Sequence, residues 1–179
     1  MQVPFDDYVW SAGVTTDLVN TMPGVWRGID QLPDRDALRA FLDEHGLGGV
    51  PAVDVAGVHA VRDRLRPLIE SADADERVAG ATALTGAIGH VTLDGDEWVA
   101  VLPEDGGVAE VLGVVGGLGL LAVQRHLGPE RFRPCSSDTC SGVFVDTSRP
   151  GRRRYCMPGH CGNRVNVANH RARRRGAAT

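Results

Sequence analysis

Four cysteines carry the clearest chemistry in the sequence: Cys135 and Cys140 form one close pair and Cys156 and Cys161 a second, with 15 residues between the pairs. Each pair can present two thiolates from one local turn, and an insert of hairpin length folds the second pair back onto the first. Four thiolates at about 2.3 Å complete the tetrahedral shell of Zn²⁺ and leave no position for water, so the expected site is structural and not catalytic. Two disulfides or unliganded buried thiols are the other states open to four cysteines, and a reducing compartment disfavours the first. His160 adjoins Cys161 and offers a nitrogen ligand, although four cysteines already complete the set.

The second chemical signal is positive charge. All 19 basic residues are Arg, which GC-rich codon usage explains, so their placement is more informative than their identity. Residues 125–179 hold 12 Arg against 3 acidic residues, a balance of +9, whereas residues 1–124 hold 7 against 20, a balance of −13. If residues 162–175 are helical, Arg164, Arg171 and Arg175 fall near one face, a stripe about 16 Å long at 1.5 Å per residue. Arg173 and Arg174 flank it, and Arg152, Arg153 and Arg154 extend the positive surface from the insert. Such a stripe suits phosphate tracking or a major groove; a solvated surface is the alternative. Arg164 is equally placed to pair with Asp146 or to touch DNA. Asn163 is suited to capping the helix or donating to a thiolate, and His170 to facing solvent or phosphate.

The elements that must position these groups are legible in part. Within the insert, residues 142–146 alternate as a strand, 147–151 turn, and Arg152–Tyr155 read as a returning strand. A ligand at a strand end followed by one in the first turn of a helix gives a treble-clef-like or ribbon-like finger. Upstream, Asp34 caps a helix carrying Leu38, Phe41 and Leu42 and stopped by Gly46. Asp54 caps a second with Val58, Val61, Leu65 and Leu68 on one face and Pro67 in its last turn. A third is expected over 75–88, a hairpin over 90–101 around Asp94-Gly-Asp96, and a Gly-containing helix over 108–127. Residues 8–21 mix β-formers with polar residues and stay ambiguous; Asn20 and Thr21 there suit a turn, a cap or the wall of a ligand pocket. Gly128-Pro129 marks a boundary.

Cys-x4-Cys, Phe144-Val-Asp-Thr-Ser148, Arg-Arg-Tyr-Cys156-Met157 and Cys161-Gly-Asn-Arg164 with its Arg-rich tail together resemble the CGNR zinc finger family. Asp17-Leu-Val-Asn-Thr21, the helix around Leu38–Leu42 and the Arg62–Leu68 pattern resemble the α/β ABATE domain that precedes this finger. Tyr155 stands where the family usually has Trp, and Asn166 where it often has Lys. The resemblance implies a stress-related bacterial transcription regulator that binds double-stranded DNA.

At 179 residues, with 42% apolar and 23% charged side chains, the chain has room for one domain plus a small module and not for a large multidomain enzyme. The expected class is α+β: an ABATE-like sensory or dimerisation domain over 1–128 and a treble-clef-like Zn²⁺ finger over 131–175. A small-molecule effector and a homodimer are the candidate partners of the first domain. The N-terminus shows no secretory pattern, and the most apolar stretch, Val111–Val123, is too short and too Gly-rich to span a bilayer. A cytoplasmic protein without a membrane partner is therefore expected. No nucleophile motif or phosphate loop is present, so no enzyme activity is expected. An RNA- or protein-binding adaptor is the alternative to the DNA reading.

Overall fold

The structure, a computed structural model, describes residues 1–163 and Val167. The expectations for Arg164, His170, Arg171, Arg173, Arg174 and Arg175, and for most of the C-terminal helix, lie outside the described residues.

Aspartates open four of the helices: Asp7 before α1 (Tyr8–Val19), Asp34 before α2 (Arg35–Glu44), Asp54 before α3 (Val55–Glu70) and Asp73 before α4 (Ala74–Leu84). Each carboxylate accepts from first-turn N–H groups that no carbonyl inside the helix can reach; Asp34, for example, takes those of Asp36 and Ala37. The third helix is shorter than expected, ending at Leu84 in a 3₁₀ turn, Thr85–Ala87. A three-stranded antiparallel sheet follows in the order β1-β3-β2, with β1 Gln2–Pro4, β2 His90–Asp94 and β3 Glu97–Val101. The expected hairpin is β2–β3, with Asp94 opposite Glu97 across the turn.

The Gly-containing helix is α5 (Val108–His126), and it is the axis of the core, with α1, α3 and α4 packed around it. Its glycines permit the approach. A Cβ on Gly119 would lie 2.9 Å from the backbone nitrogen of Ala12 in α1, and one on Gly117 would lie 2.7 Å from the carbonyl of Ala81 in α4. Close packing thus offsets the roughly 1 kcal/mol that each interior glycine costs relative to alanine. By length and composition α5 is apolar enough to cross a membrane, but 67% of its most apolar window is buried inside the protein.

The ambiguous first segment is helical. Residues that blurred its periodicity, Ser11, Thr15, Thr16 and Asn20, are all buried, so the helix has polar groups on faces where an apolar stripe would be sought. The reason lies far along the chain. Strand β5 (Val143–Val145) docks its backbone against α1: the Asn20 side chain donates to the Val143 carbonyl at 2.6 Å and accepts from the Val143 N–H at 3.0 Å, and Thr16 Oγ1 accepts from the Val145 N–H at 3.1 Å.

That docking corrects the expected hairpin of the insert. The partner of β5 is β4 (Phe132–Pro134), which precedes Cys135, in the register Phe132 opposite Val145. Arg152–Tyr155 forms no strand. With β4 on one edge of β5 and α1 side chains on the other, no edge is left for it. Its backbone instead bonds to the loops: the Arg153 N–H donates to Asp146 and the Arg154 carbonyl accepts from the Ser136 N–H. Phe132, Val143 and Val145 belong to the same apolar core as α1, α3 and α5, so the core runs across the boundary at Gly128-Pro129.

Candidate metal centre

The first cysteine pair sits on the loop of the β4–β5 hairpin, Cys135 directly after β4 and Cys140 shortly before β5. The Cys135 N–H donates to the Gly142 carbonyl at 2.8 Å, closing that loop, and the Gly142 N–H points at Cys140 Sγ at 3.3 Å. Only glycine fits there: a Cβ would lie 2.5 Å from Cys156 Sγ and 2.8 Å from Asn20 Oδ1. Cys156 is fully buried, and Cys161 lies in a π-helical turn, Pro158–Gly162, where its N–H donates to the Met157 carbonyl at 2.8 Å.

The sulfurs converge. Cys140, Cys156 and Cys161 are separated by 3.6, 3.8 and 3.6 Å, and all four Sγ atoms lie within 4.8 Å of one another. A tetrahedron with Zn–S bonds of about 2.3 Å has edges of about 3.8 Å, whereas a disulfide needs about 2.05 Å. The spacing is that of zinc ligands. The electrostatics agree, because burial pushes the Cys156 thiol up and the neighbouring Cys135, Cys140 and Cys161 sulfurs push it further. Cys161 is raised to about 11, by burial and then by Cys140. On Cys135 burial opposes the charge, yet N–H groups of Cys156 and Ser137 outweigh it and hold the thiol below its ordinary value. Four crowded thiolates repel unless a divalent cation lies among them, which is the chemistry Zn²⁺ supplies here.

Around the cluster, arginines and one aspartate fix the loops. Asp146 is fully buried; burial works against its charge, but hydrogen bonds from the Ser148 hydroxyl and N–H and from the Arg153 N–H, with Arg133 nearby, hold its carboxyl below the usual range. Arg131 donates to the carbonyls of Asp146 and Ser148. Arg153 donates to the carbonyls of Tyr155 and Cys156 and stacks on Phe144 at 4.9 Å. The expected phosphate-facing role of Arg153 therefore meets a side chain turned inward. Arg152 and Arg154 are exposed, Arg154 leaning over the Tyr155 ring at 5.8 Å. So is Arg149, which sequence reasoning passed over although it lies in the same turn-bearing insert.

Comparison with known families places these features. Residues 131–174 match the family described as CGNR zinc finger, and residues 13–124, more than half the chain, match ABATE, described as "Putative stress-induced transcription regulator". The chain belongs to the ABATE family. The two matches occur in the expected order, and among curated proteins none matches the chain. In the CGNR segment, Cys161 is the last ligand and Gly162 packs under the Tyr155 ring, where a Cβ would meet Cδ2 at 3.3 Å. Asn163 donates to the Gly159 carbonyl at 2.7 Å, closing the turn that carries Cys161; the N–H groups it would cap in a following helix lie outside the described residues. Asn20 of the ABATE segment is the C-cap of α1, as one of its expected roles had it, and its side chain donates to the Thr16 carbonyl at 2.7 Å. Its amide is the seam to the finger.

Proposed function

We propose that this ABATE protein is a cytoplasmic transcription regulator of the stress response whose zinc finger and Arg-rich C-terminal stretch bind double-stranded DNA, and that it catalyses no reaction. The observation that carries the reading is the charge partition, +9 over residues 125–179 against −13 over 1–124, beside a four-thiolate centre. Polyanion binding is thereby favoured at one end and opposed at the other. The family description supports the regulatory half. Among the described residues, Arg149, Arg152 and Arg154 supply exposed guanidinium groups beside the finger; the sequence adds Arg164, Arg171, Arg173, Arg174 and Arg175. The zinc contributes no chemistry to the nucleic acid; it fixes the loops that carry these arginines. The ABATE segment would sense an effector or pair two copies.

Fluorescence anisotropy of labelled duplex against zinc-loaded full chain tests this. About five phosphate contacts give a slope near −4.5 for log K against log salt, from about −0.9 per contact on B-DNA. Arg171→Ala should cost about 1–3 kcal/mol on a preferred site if that side chain reaches a base edge. Salt-insensitive binding, a preference for RNA over duplex DNA, or no binding at low salt would favour the adaptor reading.

A further inference from the structure

A cavity of about 630 Å³ opens between α1, α2, the Trp26 loop and the finger, within the range of small-molecule sites. Its lining has two chemistries. Trp26, Phe41 and Met157 offer two aromatic rings and a thioether, and Asp17, Glu44 and His45 offer two carboxyls and an imidazole. Asp17 lies in the last turn of α1, Glu44 is the last residue of α2, and His45 caps α2. Helix C-termini already carry partial negative charge, so carboxylates there oppose the dipole, and neither helix has a basic residue in its last turn. Among the described residues, no hydrogen bond reaches either carboxylate, and His45 Nε2 stands 3.8 Å from Asp17 Oδ2. Both carboxylates are exposed at the mouth of the cavity, so a cation can reach them from solvent.

We propose that the cavity binds a small organic cation with an aromatic or otherwise apolar body, the charge held by Asp17 and Glu44 and the body by Trp26, Phe41 and Met157. Two carboxylates and two helix C-termini attract a cation, aromatic faces add cation–π attraction, and a thioether accommodates varied shapes. Partial burial and then the neighbouring Glu44 raise the half-exposed Asp17 carboxyl above its ordinary value, against the pull of His45 and Arg153; a cation between the two carboxylates offsets their mutual repulsion. Arg153, the cation facing Asp17 from the finger, is already bonded to the carbonyls of Tyr155 and Cys156.

The site reports to the metal centre. Met157 follows the ligand Cys156, and its carbonyl accepts from the N–H groups of His160 and Cys161 at 3.1 and 2.8 Å. The His160 ring packs on Trp26 at 5.3 Å between centroids. A ligand seated on Trp26 and Met157 thus bears on the turn that holds Cys161. This deepens the sensory role proposed above and rests on that role only for its consequence at the DNA.

Anisotropy titration of zinc-loaded full chain with two dyes of one ring system, cationic rhodamine 6G and anionic fluorescein, tests binding without DNA. Rhodamine 6G should bind saturably at one site and fluorescein at least tenfold more weakly. The double variant Asp17→Asn, Glu44→Gln should lose at least tenfold for rhodamine 6G while keeping the wild-type zinc content and thermal midpoint. Bound rhodamine 6G should also slow zinc transfer to a chelator. Absent rhodamine binding, equal binding of both dyes, or unchanged affinity in the double variant overturns the proposal; unchanged zinc transfer overturns its link to the finger. Charge-selective dye binding in a chain that fails to bind DNA would leave this site standing and the DNA reading refuted.

Discussion

Among the arginines of the insert, neighbours in sequence do different work. Arg153→Ala removes donors from the Tyr155 and Cys156 carbonyls, which should cost about 1–3 kcal/mol and appear as a lower thermal midpoint and faster zinc loss. Arg154→Ala should leave the midpoint within about 0.5 kcal/mol of wild type and reduce the salt slope of DNA binding by about 1. Thermal scans paired with salt titrations separate the two. Arg62 and Asp30 make a bidentate pair at 2.9 and 2.8 Å, and the Arg62 hydrogen bond is the main reason the Asp30 carboxyl lies below its ordinary value. A depressed carboxyl stabilises the fold fully above its unfolded value, about 3.9, and that contribution fades as pH falls through the lower folded value. Urea midpoints of wild type and Asp30→Asn should therefore differ most near pH 6 and converge on acidification below about pH 4.

At the scale of elements, α1 decides how the two family segments join. Its Asn20 serves β5 as a neighbouring strand would, satisfying one N–H and one carbonyl of Val143. Asn20→Ala orphans both groups in a buried seam, at roughly 1–3 kcal/mol each, so chemical denaturation should show a loss well above that of an ordinary surface change. Asn20→Asp keeps the acceptor for the Val143 N–H and faces the carbonyl with another acceptor, so it should do no better at neutral pH. Periodicity and Asp caps made α2 and α3 readable, because each buries an apolar stripe. It failed on α1, whose buried Ser11, Thr15, Thr16 and Asn20 find their partners within the helix or 123 and more residues away.

Over the whole molecule, the metal-bearing loops and the apolar core are structurally continuous. The zinc loops close the β4–β5 hairpin, and that hairpin contributes Phe132, Val143 and Val145 to the core of the ABATE segment. Zinc removal with a strong chelator, or Cys156→Ala, should therefore lower the melting temperature of the whole chain in a single transition, given a metal contribution on the order of 10 kcal/mol in zinc-finger peptides. Circular dichroism with and without chelator checks this; an unchanged first transition would show an independent ABATE unit. A fragment ending at residue 128 would expose the core faces of α1, α3 and α5 and strip Thr16 Oγ1 and Asn20 Oδ1 of the Val145 and Val143 N–H groups, so it should be poorly soluble and unfold at lower denaturant.

The zinc ligands were legible before any fold, because ligand identity and spacing are local: Cys135-x4-Cys140 and Cys156-x4-Cys161 already point to a closed four-thiolate shell, and the sulfur separations then exclude disulfides. The sequence by itself determined the charge division and the caps at Asp34 and Asp54 for the same reason. The pairing of β5 with β4, the inward turn of Arg153, the seam at Asn20 and the cavity uniting Asp17 and Glu44 with Met157 emerge only on folding. These depend on which backbone edge remains free after α1 has docked, and on residues more than 100 positions apart. No local pattern encodes such neighbours; the packing of the common core brings them together.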